Sequence, residues 1–496
     1  MATEKLDCYS RLYTAHAEVA SPRNADELAD HFAHAREMGR KVTLRAGAHS
    51  FDAQALGDDL VISMLNMNEI EVLADEGKVR VGSGATWGRI LAELKPHGLV
   101  PAVTVTTEHA TAGGTLSGDC LSRFSPSYGK EGEQIESFDL LTTAGELITC
   151  TAPPKDAPQS SWTREQRAFC GVISGLGYLG AVVSITYRVR SPGRPGDRIG
   201  VRTLAYKTDT FAELGKQLMP KVREAVTEVP DPRDPEKLDA IWSALDTRGP
   251  GRQTALLFTS AFVTNSDGKR MLLHRPELLR RILAEWAMRV PFISRLMWRF
   301  YVTFLFRKKQ QEYIDELEGF TFFMDGNARA KRIGNDLGLK MQNAQQTFVV
   351  PRDPDAEGSW DRARDDLVKW LQFASKFLRD RGLTPTLHDV LYLPRDLPFA
   401  LSASADVPGF AASYAFETSN AKRLARVKQA FIELADVLWE DYGGRVYLVK
   451  NVFARPETLR NMYADHLDEF HALKAELDPS DTLRNEFYDR TVRESS

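Results

Sequence analysis

The sequence predicts an α+β protein built from more than one domain. Its 496 residues are too many for one simple hydrophobic core. Short strand patterns alternate with amphipathic helical patterns before the glycine- and proline-containing loop at 191–197, and longer helical runs follow it. We therefore expect a first domain at 1–193, a second domain at 194–444, and a C-terminal segment at 445–496.

The elements of the first domain follow from local patterns. Residues 22–39 predict a helix, because Asn24 lies at its start, apolar residues recur at helical spacing, and Gly39 ends the run. A second amphipathic helix ends at Gly98, and a hairpin turns at Gly145. The remaining predicted elements are the strands VTLRAG, DDLVISM, KVRVGSG and AVVSITYRV and the helix REQRAFCGVIS.

The second domain contains an unusual segment at 272–309, in which aromatic and aliphatic residues interleave with arginines and end at Lys308 and Lys309. One interpretation is a core-facing helix pair with its arginines in water. The other is a surface that meets a bilayer or a lipid substrate. A further helix is predicted at 359–381.

Composition excludes several classes of protein. The net charge of -4 gives no nucleic-acid footprint. The four cysteines are scattered, which argues against a disulfide framework or a zinc site and is typical of a reducing compartment. The N-terminus lacks the pattern of a signal peptide, and no apolar run is long enough for a membrane span. We expect a cytoplasmic protein without a metal, peripheral to the membrane if 272–309 is a lipid-facing surface.

GLGYLG at 175–180 matches a dinucleotide-binding fingerprint, but its context is wrong. That fingerprint needs a strand before the glycines and a helix after them, because the helix N-terminus binds the pyrophosphate. Here a predicted helix comes first and a predicted strand follows. The acidic residue at a suitable distance, Asp197, lies in a loop. The sequence therefore predicts a tight helix-to-strand turn.

Two stretches of small residues are better candidates for an anion site. RAGAHSF at 45–51, here called the first nest, follows a predicted strand, and such a turn directs backbone N–H groups at one spot. TAGGTLSGD at 111–119, the second nest, combines glycines with hydroxyl side chains. Two separated nests suit a pyrophosphate and a flat ring.

The order of these motifs resembles a known family. Over residues 20–190, LRAGAHSFD, DLVISM, VGSGATWG, ATAGGTLSGD, SYGKEG, SFDLLTTAGE and GLGYLGAVVSITYRV are similar to the FAD domain of the vanillyl-alcohol oxidase and p-cresol methylhydroxylase (PCMH-type) superfamily. The decaprenylphosphoryl-ribose oxidase and Δ24-sterol reductase groups look most similar. GGRVYLVKN at 443–451 resembles the first of these groups.

The resemblance implies a two-subdomain FAD-binding domain, an α+β substrate (cap) domain with an antiparallel sheet, and a C-terminal segment that returns to the FAD domain. It assigns FAD binding to Arg45, Ala46, Gly47, Ala48, His49, Ser50 and Phe51 in the first nest, to Thr111, Gly113, Gly114, Thr115, Gly118, Asp119 and Cys120 around the second, and to Gly180, Val182 and Tyr447.

His49 is the candidate for a covalent bond to the flavin. In sugar and polyol oxidases that this chain resembles, a histidine in a similar turn bonds the flavin 8α-methyl, and a neutral imidazole is a suitable nucleophile for that step. The alternative is that His49 only hydrogen-bonds a phosphate. The decaprenylphosphoryl-ribose oxidases have arginine at this position.

The resemblance also implies the catalytic residues. Lys450 matches a substrate-facing lysine beside flavin N5, Gln345 a polar position on an active-site strand, and Tyr447 a flavin contact. His388 and Tyr392 lie nearby, and His388 is a candidate general base, although core packing is the alternative. Where the decaprenylphosphoryl-ribose oxidases have polar or reactive substrate-site residues, this chain has Leu121, Arg123, Leu391 and Ser413.

We therefore expect a FAD-dependent oxidoreductase that oxidises a hydroxyl-bearing carbon of a sugar, polyol or related alcohol, with dioxygen or another acceptor as its partner. One alternative is a reductase of a lipid or sterol alkene at a membrane surface, which 272–309 favours and His49 disfavours. The other alternative is a flavin-binding protein without catalysis.

Overall fold

Three β-sheets organise the computed structural model of the chain, which describes residues 3–154, 157–227, 238–247, 251–265, 310–322, 325, 342–405 and 407–493. The segment 272–309, for which two interpretations were open, lies outside the described residues. Helices and antiparallel sheets together confirm the predicted α+β class.

The first sheet is mixed and has the order β1-β2-β4-β3. Strands β2, β4 and β3 run parallel, and β1 is antiparallel to β2. Helix α1 starts where Asn24 Oδ1 accepts from the Glu27 amide at 2.9 Å, and it buries Leu28 and Phe32. The bounds are β1 Thr3–Asp7, β2 Thr14–Ala20, α1 Ala25–Glu37, β3 Val42–Arg45 and β4 Leu60–Ser63.

The second sheet is antiparallel and has the order β5-β6-β10-β8-β9, with β7 paired to β10. The predicted hairpin is β8–β9, and Gly145 adopts a φ of 89° in its turn. The bounds are β5 Ile70–Leu73, β6 Lys78–Gly82, α2 Trp87–Leu94, β7 Val100–Pro101, α3 Ala112–Ser117, α4 Ser125–Tyr128, β8 Ile135–Leu141, β9 Leu147–Thr151, α5 Arg164–Val172 and β10 Ala181–Arg190.

GLGYLG connects α5 to β10, as the sequence predicts. Gly180 has a φ of 147°, and a Cβ at this position would lie 2.9 Å from Leu140 Cδ1. Glycine is therefore required for the close approach of this turn to β8. No helix follows the glycines, so the motif is not a nucleotide-binding fingerprint.

The third sheet has eight antiparallel strands in the order β14-β11-β13-β12-β16-β17-β15-β18. It confirms the antiparallel sheet expected of the cap domain. The bounds are β11 Ile199–Thr208, α6 Phe211–Thr227, β12 Ala240–Asp246, β13 Thr254–Thr264, β14 Gln310–Glu316, α7 Leu317–Thr321, β15 Gln342–Pro351, α8 Ser359–Asp380, β16 Leu387–Leu393, β17 Gly409–Thr418, α9 Ala421–Tyr442 and β18 Arg445–Val446.

Helices cover one face of this sheet, and the other face is left for a cleft. Phe348 on β15 packs against Trp370 of α8 and Phe431 of α9, with ring centroids 5.4 and 5.8 Å apart. Side chains alternate along a strand, so the neighbouring Thr347 points to the opposite face. The period-2 pattern therefore separates an apolar core face from a face available for chemistry.

The C-terminal segment begins as the edge strand β18 and then leaves the third sheet. Its later part contains α10 Pro456–Leu477 and α11 Glu486–Tyr488. It reaches the first sheet, where the Val42 amide donates to Thr482 O at 2.8 Å and the Arg484 amide to Val42 O at 3.1 Å. Short 3-10 turns occur at Ala53–Ala55, Met64–Asn66, Ala74–Glu76, Lys95–His97, Glu131–Gln134 and Gln159–Ser161, and a π turn at Asp489–Arg493.

Within the described part of the chain, no helix is both long enough and apolar enough to cross a bilayer.

Candidate functional site

A cleft lies where the three sheets meet, with the two nests on one side and the open face of the third sheet on the other. It brings together most of the side chains that the sequence nominates. Those that line it are Arg45, Ala46, Gly47, Ala48, His49, Ser50, Phe51, Thr111, Gly113, Gly114, Thr115, Gly118, Cys120, Gly180, Val182, Gln345 and Lys450.

The first nest turns sharply after β3. Ala48 adopts a φ of 56°, in the left-handed region that a non-glycine residue seldom occupies. Arg45 does not reach into the turn. Its guanidinium donates to Ala55 O at 3.0 Å and Asp7 O at 2.9 Å, which fixes the loop from behind. The backbone of residues 46–50 is thereby left facing the cleft.

Both nests contain a glycine that neighbouring chain approaches too closely for a side chain. A Cβ on Gly47 would lie 2.6 Å from His109 O and 3.3 Å from the Thr111 amide nitrogen, and a Cβ on Gly113 would lie 2.6 Å from Ser83 Cβ, just after β6. The Gly47 amide lies 3.4 Å from Thr111 Oγ1, and the Gly113 amide donates to Ser83 O at 2.8 Å. Glycine is therefore a geometric requirement at both positions.

These walls fit a dinucleotide such as FAD. The hydroxyl oxygens of Ser50 and Ser83 are buried, line the cleft, and have no hydrogen-bond partner among the described residues. Buried polar groups are normally paired, so both hydroxyls are suited to a bound polar ligand. Backbone N–H groups of a nest bind phosphate, and the glycines allow a flat ring to approach the chain.

His49 lies in the first nest, between two other rings. Its ring centroid is 5.2 Å from that of Tyr9 and 6.2 Å from that of His109. Burial lowers the pKa of His49 to about 4, and the neighbouring His109 acts in the same direction. The imidazole is therefore neutral at physiological pH.

Buried amide side chains join the segment that carries Lys450 to the first nest and to the 3-10 turn Ala53–Ala55 that follows it. Gln54 Nε2 donates to Leu448 O at 2.9 Å and to Lys450 O at 3.1 Å. Asn451 Nδ2 donates to Phe51 O at 2.8 Å, while its Oδ1 accepts from the Gln345 amide at 2.9 Å. These bonds hold Lys450 at the junction of the first nest and β15.

The Lys450 ammonium group lies in the cleft, 4.2 Å from the centre of the Phe51 ring. Burial lowers the pKa of Lys450, whereas Cys120 and Asp389 raise it. A partly desolvated cation at this point is suited to hold a substrate oxygen.

A polar row crosses the open face of the third sheet beside Lys450. Asp389, Ser413 and Thr347 pair across β16, β17 and β15, and all three line the cleft. The Ser413 hydroxyl lies 2.9 Å from Thr347 Oγ1, and Ser413 lowers the pKa of Asp389, which lies opposite it. Asp389 is the residue that sequence reasoning missed.

Comparisons with known proteins agree with this geometry. Residues 17–151 match the family described as FAD binding domain, and residues 414–491 match D-arabinono-1,4-lactone oxidase. The first match contains both nests, and the second contains Tyr447 and Lys450. The chain carries a PCMH-type FAD-binding domain. Its cofactor is FAD, as the sequence predicts.

Curated relatives resemble parts of this FAD-binding chain. Cytokinin dehydrogenase 1 of Arabidopsis thaliana is 28% identical over 33% of this chain and 28% of its own length. Decaprenylphosphoryl-beta-D-ribose oxidase of Mycolicibacterium smegmatis is 30% identical over 31% of this chain and 32% of its own length. L-gulonolactone oxidase of Bos taurus is 25% identical over 37% of this chain and 39% of its own length. The matches thus span less than two fifths of each of these relatives.

The candidate base His388 is placed on the wrong face of β16. Its imidazole is buried and stacks on Tyr414 with ring centroids 4.0 Å apart, and neither nitrogen has a hydrogen-bond partner within the described residues. Burial lowers its pKa to about 3. His388 does not line the cleft, so its assignment as base is corrected to core packing. Tyr392 shares that face.

Tyr447 lies behind the second nest, hydrogen-bonds its backbone, and does not line the cleft. Its hydroxyl accepts from the Leu121 amide at 3.2 Å and lies 3.1 Å from Asp119 O, to which it donates. The expected direct contact of Tyr447 with the flavin is therefore replaced by a positioning role, and it is not a catalytic group in this geometry.

Asp119 also turns away from the cleft, into a buried ion pair. Its carboxylate lies 2.6 Å from Lys130 Nζ, which also lies 2.8 Å from Asp396 and 2.6 Å from Ser402 Oγ. Burial would lower the pKa of Lys130, but the two carboxylates outweigh it and raise that pKa. The expected FAD contact of Asp119 is thus replaced by a bridge between the second nest and the cap domain.

Thr115 connects the second nest to another buried carboxyl group. Glu131 Oε1 accepts from Thr115 Oγ1 at 2.8 Å and from the Tyr187 hydroxyl at 2.7 Å. Burial raises the pKa of Glu131 to about 8, against the lowering effect of these two bonds. The Glu131 carboxyl group is therefore largely protonated and neutral at pH 7, and its bond to Thr115 holds α3 in place.

The four positions at which the sequence departs from the decaprenylphosphoryl-ribose oxidases all line the cleft, as expected of substrate-side residues. They are Leu121, Arg123, Leu391 and Ser413. Arg123 packs its guanidinium 4.8 Å from the Trp242 ring centre, and Trp242 also lines the cleft. The substrate side therefore combines apolar and aromatic walls with the polar row.

Proposed function

We propose that the protein is a FAD-dependent oxidoreductase that oxidises a hydroxyl-bearing carbon of a sugar, polyol or related alcohol. The observation that carries this proposal is the position of Lys450, which lies between the nests and the polar row of the third sheet. Bound FAD supplies the hydride acceptor for such a reaction. The names of the relatives, which include L-gulonolactone oxidase, agree with this class of substrate.

The chain's own residues would position the alcohol. The Lys450 ammonium group holds the substrate oxygen and stabilises the negative charge that develops on it as the proton leaves. Gln345, on β15, lies on the same cleft wall and offers a neutral amide for a second hydroxyl. Leu121, Leu391 and Trp242 exclude water from the reacting carbon.

His49 is proposed to bond covalently to the flavin. It lies in the first nest and is neutral at physiological pH, as a nucleophilic imidazole must be. A covalent bond would make the flavin a stronger hydride acceptor, which suits an oxidase better than a reductase. Dioxygen or another acceptor would take the electrons from the reduced cofactor.

Anaerobic spectroscopy of the purified holoprotein tests the proposal. Xylitol, sorbitol, L-gulono-1,4-lactone and benzyl alcohol are added in turn, and flavin absorbance is followed. We expect at least one alcohol to bleach the flavin, and Lys450→Met to slow bleaching roughly 100-fold. Lys376→Met is the control, because Lys376 is exposed on α8. Bleaching by NADPH alone would identify a reductase, and a colourless protein would contradict both functions.

A further inference from the structure

We infer that Asp389 is the catalytic base that takes the hydroxyl proton of the substrate, and that Ser413 positions it. This inference rests on the proposed alcohol oxidation and adds the missing proton acceptor. Two independent features of the described residues lead to it. One is the alternation of β16, which places Asp389 on the cleft wall, and the other is a buried oxygen of its carboxylate that has no hydrogen-bond partner.

The alternation of β16 separates its side chains into two sets. Leu387, Asp389 and Leu391 line the cleft, whereas His388 is buried on the helix-covered face. Among the described residues that line the cleft, Asp389 is the one Asp or Glu, whereas Asp119 and Glu131 are hydrogen-bonded or paired behind the second nest and do not line it. A base must reach the substrate before its pKa matters.

The Asp389 carboxylate faces Ser413 and keeps one oxygen without a partner. Ser413 lies opposite Asp389 on β17 and lowers its pKa, and Thr347 Oγ1 in turn lies 2.9 Å from Ser413 Oγ. Oδ1 of Asp389 is buried and has no hydrogen-bond partner among the described residues. Leaving a buried carboxylate oxygen unpaired costs free energy, so its retention in a cleft is suited to a bound O–H donor.

The charges around Asp389 suit proton transfer. Lys450 of the C-terminal segment and Arg123 after the second nest are the cations that lower its pKa. The strands that flank it contribute no further charge at this point, since β17 places Ser413 and β12 places Ala244 opposite it. Burial raises the pKa of Asp389 to about 6, against the lowering effects of Ser413 and Lys450.

The proposed step balances in atoms and charge. The O–H bond of the alcohol breaks and its proton goes to the Asp389 carboxylate, while the substrate oxygen is held at Lys450. The C–H bond breaks with its electron pair and the carbon is oxidised to a carbonyl, for which FAD would be the two-electron oxidant that accepts the hydride. Asp389 loses its proton to solvent before the next turnover.

The test uses the holoprotein and whichever of the four alcohols bleaches it. The rate of anaerobic bleaching is measured from pH 5 to 9 for the wild type, Asp389→Asn, Asp389→Glu, Ser413→Ala and His388→Gln. The wild-type rate should rise with pH through a midpoint near 6. Asp389→Asn should slow bleaching about 100-fold or more, and Asp389→Glu should restore part of it.

Ser413→Ala should move the midpoint to higher pH, because the bond that favours the charged carboxylate is lost. His388→Gln should keep the wild-type midpoint. A second readout needs no alcohol: the visible spectrum of the bound flavin should shift near pH 6 in the wild type and not in Asp389→Asn.

Three outcomes separate the inference from the proposed function. A wild-type flavin that no alcohol bleaches overturns the proposed function. A wild type that is bleached, with Asp389→Asn equally fast and equally dependent on pH, overturns the role of Asp389 alone. A midpoint that His388→Gln moves and Ser413→Ala leaves unchanged overturns it as well.

Discussion

Burial sets the charge of the individual side chains in the cleft. His49 is neutral because a desolvated imidazolium is unfavourable, and its pKa falls to about 4. The same desolvation raises the pKa of Asp389 to about 6 and lowers that of Lys450. A neutral nucleophile, a base and a cation can therefore coexist within one cleft near neutral pH.

The covalent role of His49 can be tested by acid precipitation. Because the imidazole is neutral and lies in the first nest, we expect a yellow pellet whose mass is raised by one FAD. His49→Ala should release its flavin into the supernatant. His109→Ala is the matched control, since its ring lies 6.2 Å from His49 and does not line the cleft, and its pellet should stay yellow. An unmodified wild-type pellet would contradict the covalent bond.

The nests could be predicted from the sequence, whereas the proposed catalytic base was missed. The nests were recognisable because small residues with hydroxyl groups are required where two chain segments approach a ligand. The prediction that His388 is the base was wrong because it ignored the alternation of side chains along β16. Leu391 was already expected to face the substrate, and His388 lies three residues before it, so its side chain points to the opposite face of the sheet. The same alternation would have pointed to Asp389.

At the scale of elements, the segment after β18 is the piece that completes the site. It carries Lys450 and is joined to the first nest by Gln54 and Asn451. Its return to the FAD domain could be inferred only from the resemblance, because its partners lie almost 400 residues earlier in the chain. GLGYLG, by contrast, could be interpreted correctly from the order of its flanking elements alone.

Asn451→Ala should loosen this segment. The substitution leaves the Gln345 amide and Phe51 O without their partner, at about 1–3 kcal/mol for each buried group. We expect a lower free energy of unfolding and a FAD affinity weakened about tenfold or more, measured by denaturant titration and by calorimetry with FAD.

Asn420→Ala is the control for that experiment. Asn420 caps α9 by accepting from the Arg423 amide at 3.0 Å, so its loss costs about 1 kcal/mol of stability. It lies outside the cleft, and FAD affinity should stay unchanged. If both variants weakened FAD binding equally, the anchoring role of Asn451 would be refuted.

At the scale of the whole molecule, one buried lysine joins the FAD domain to the cap domain. Lys130 lies between Asp119, at the end of the second nest, and Asp396, which also accepts from Ser402 and Ser404 at 2.7 Å. The sequence could not predict this bridge, because Lys130 and Asp396 are far apart in the chain and carry no local pattern. The two ion pairs of Lys130 therefore link the second nest to the cap domain.

Lys130→Met should destabilise the folded protein by about 3–5 kcal/mol, since two buried carboxylates lose their cation. Burial already raises the folded-state pKa of Asp119 to about 6, and it should rise further without Lys130. A carboxyl group with a raised folded-state pKa contributes less stability as pH rises from the unfolded pKa through the folded one, so the loss should be larger at pH 8 than at pH 5.

Denaturant titration at both pH values measures this dependence. Lys78→Met is the control, because Lys78 pairs with Glu76 and Glu136 on the surface, where water screens the ion pairs and their contribution to stability is small. A Lys130→Met protein as stable as the control variant would show that the bridge does not hold the domains together.

The site as a whole depends on FAD occupying the cleft between the nests, and flavin content measures this directly. Gly47→Ala would place a Cβ 2.6 Å from His109 O and close the gap, whereas Ala144→Ser changes an exposed hairpin turn. We predict one FAD for each wild-type and Ala144→Ser chain, and a folded Gly47→Ala protein that has lost most of its flavin. A Gly47→Ala protein with full flavin content would contradict the assignment of the cleft as the FAD site.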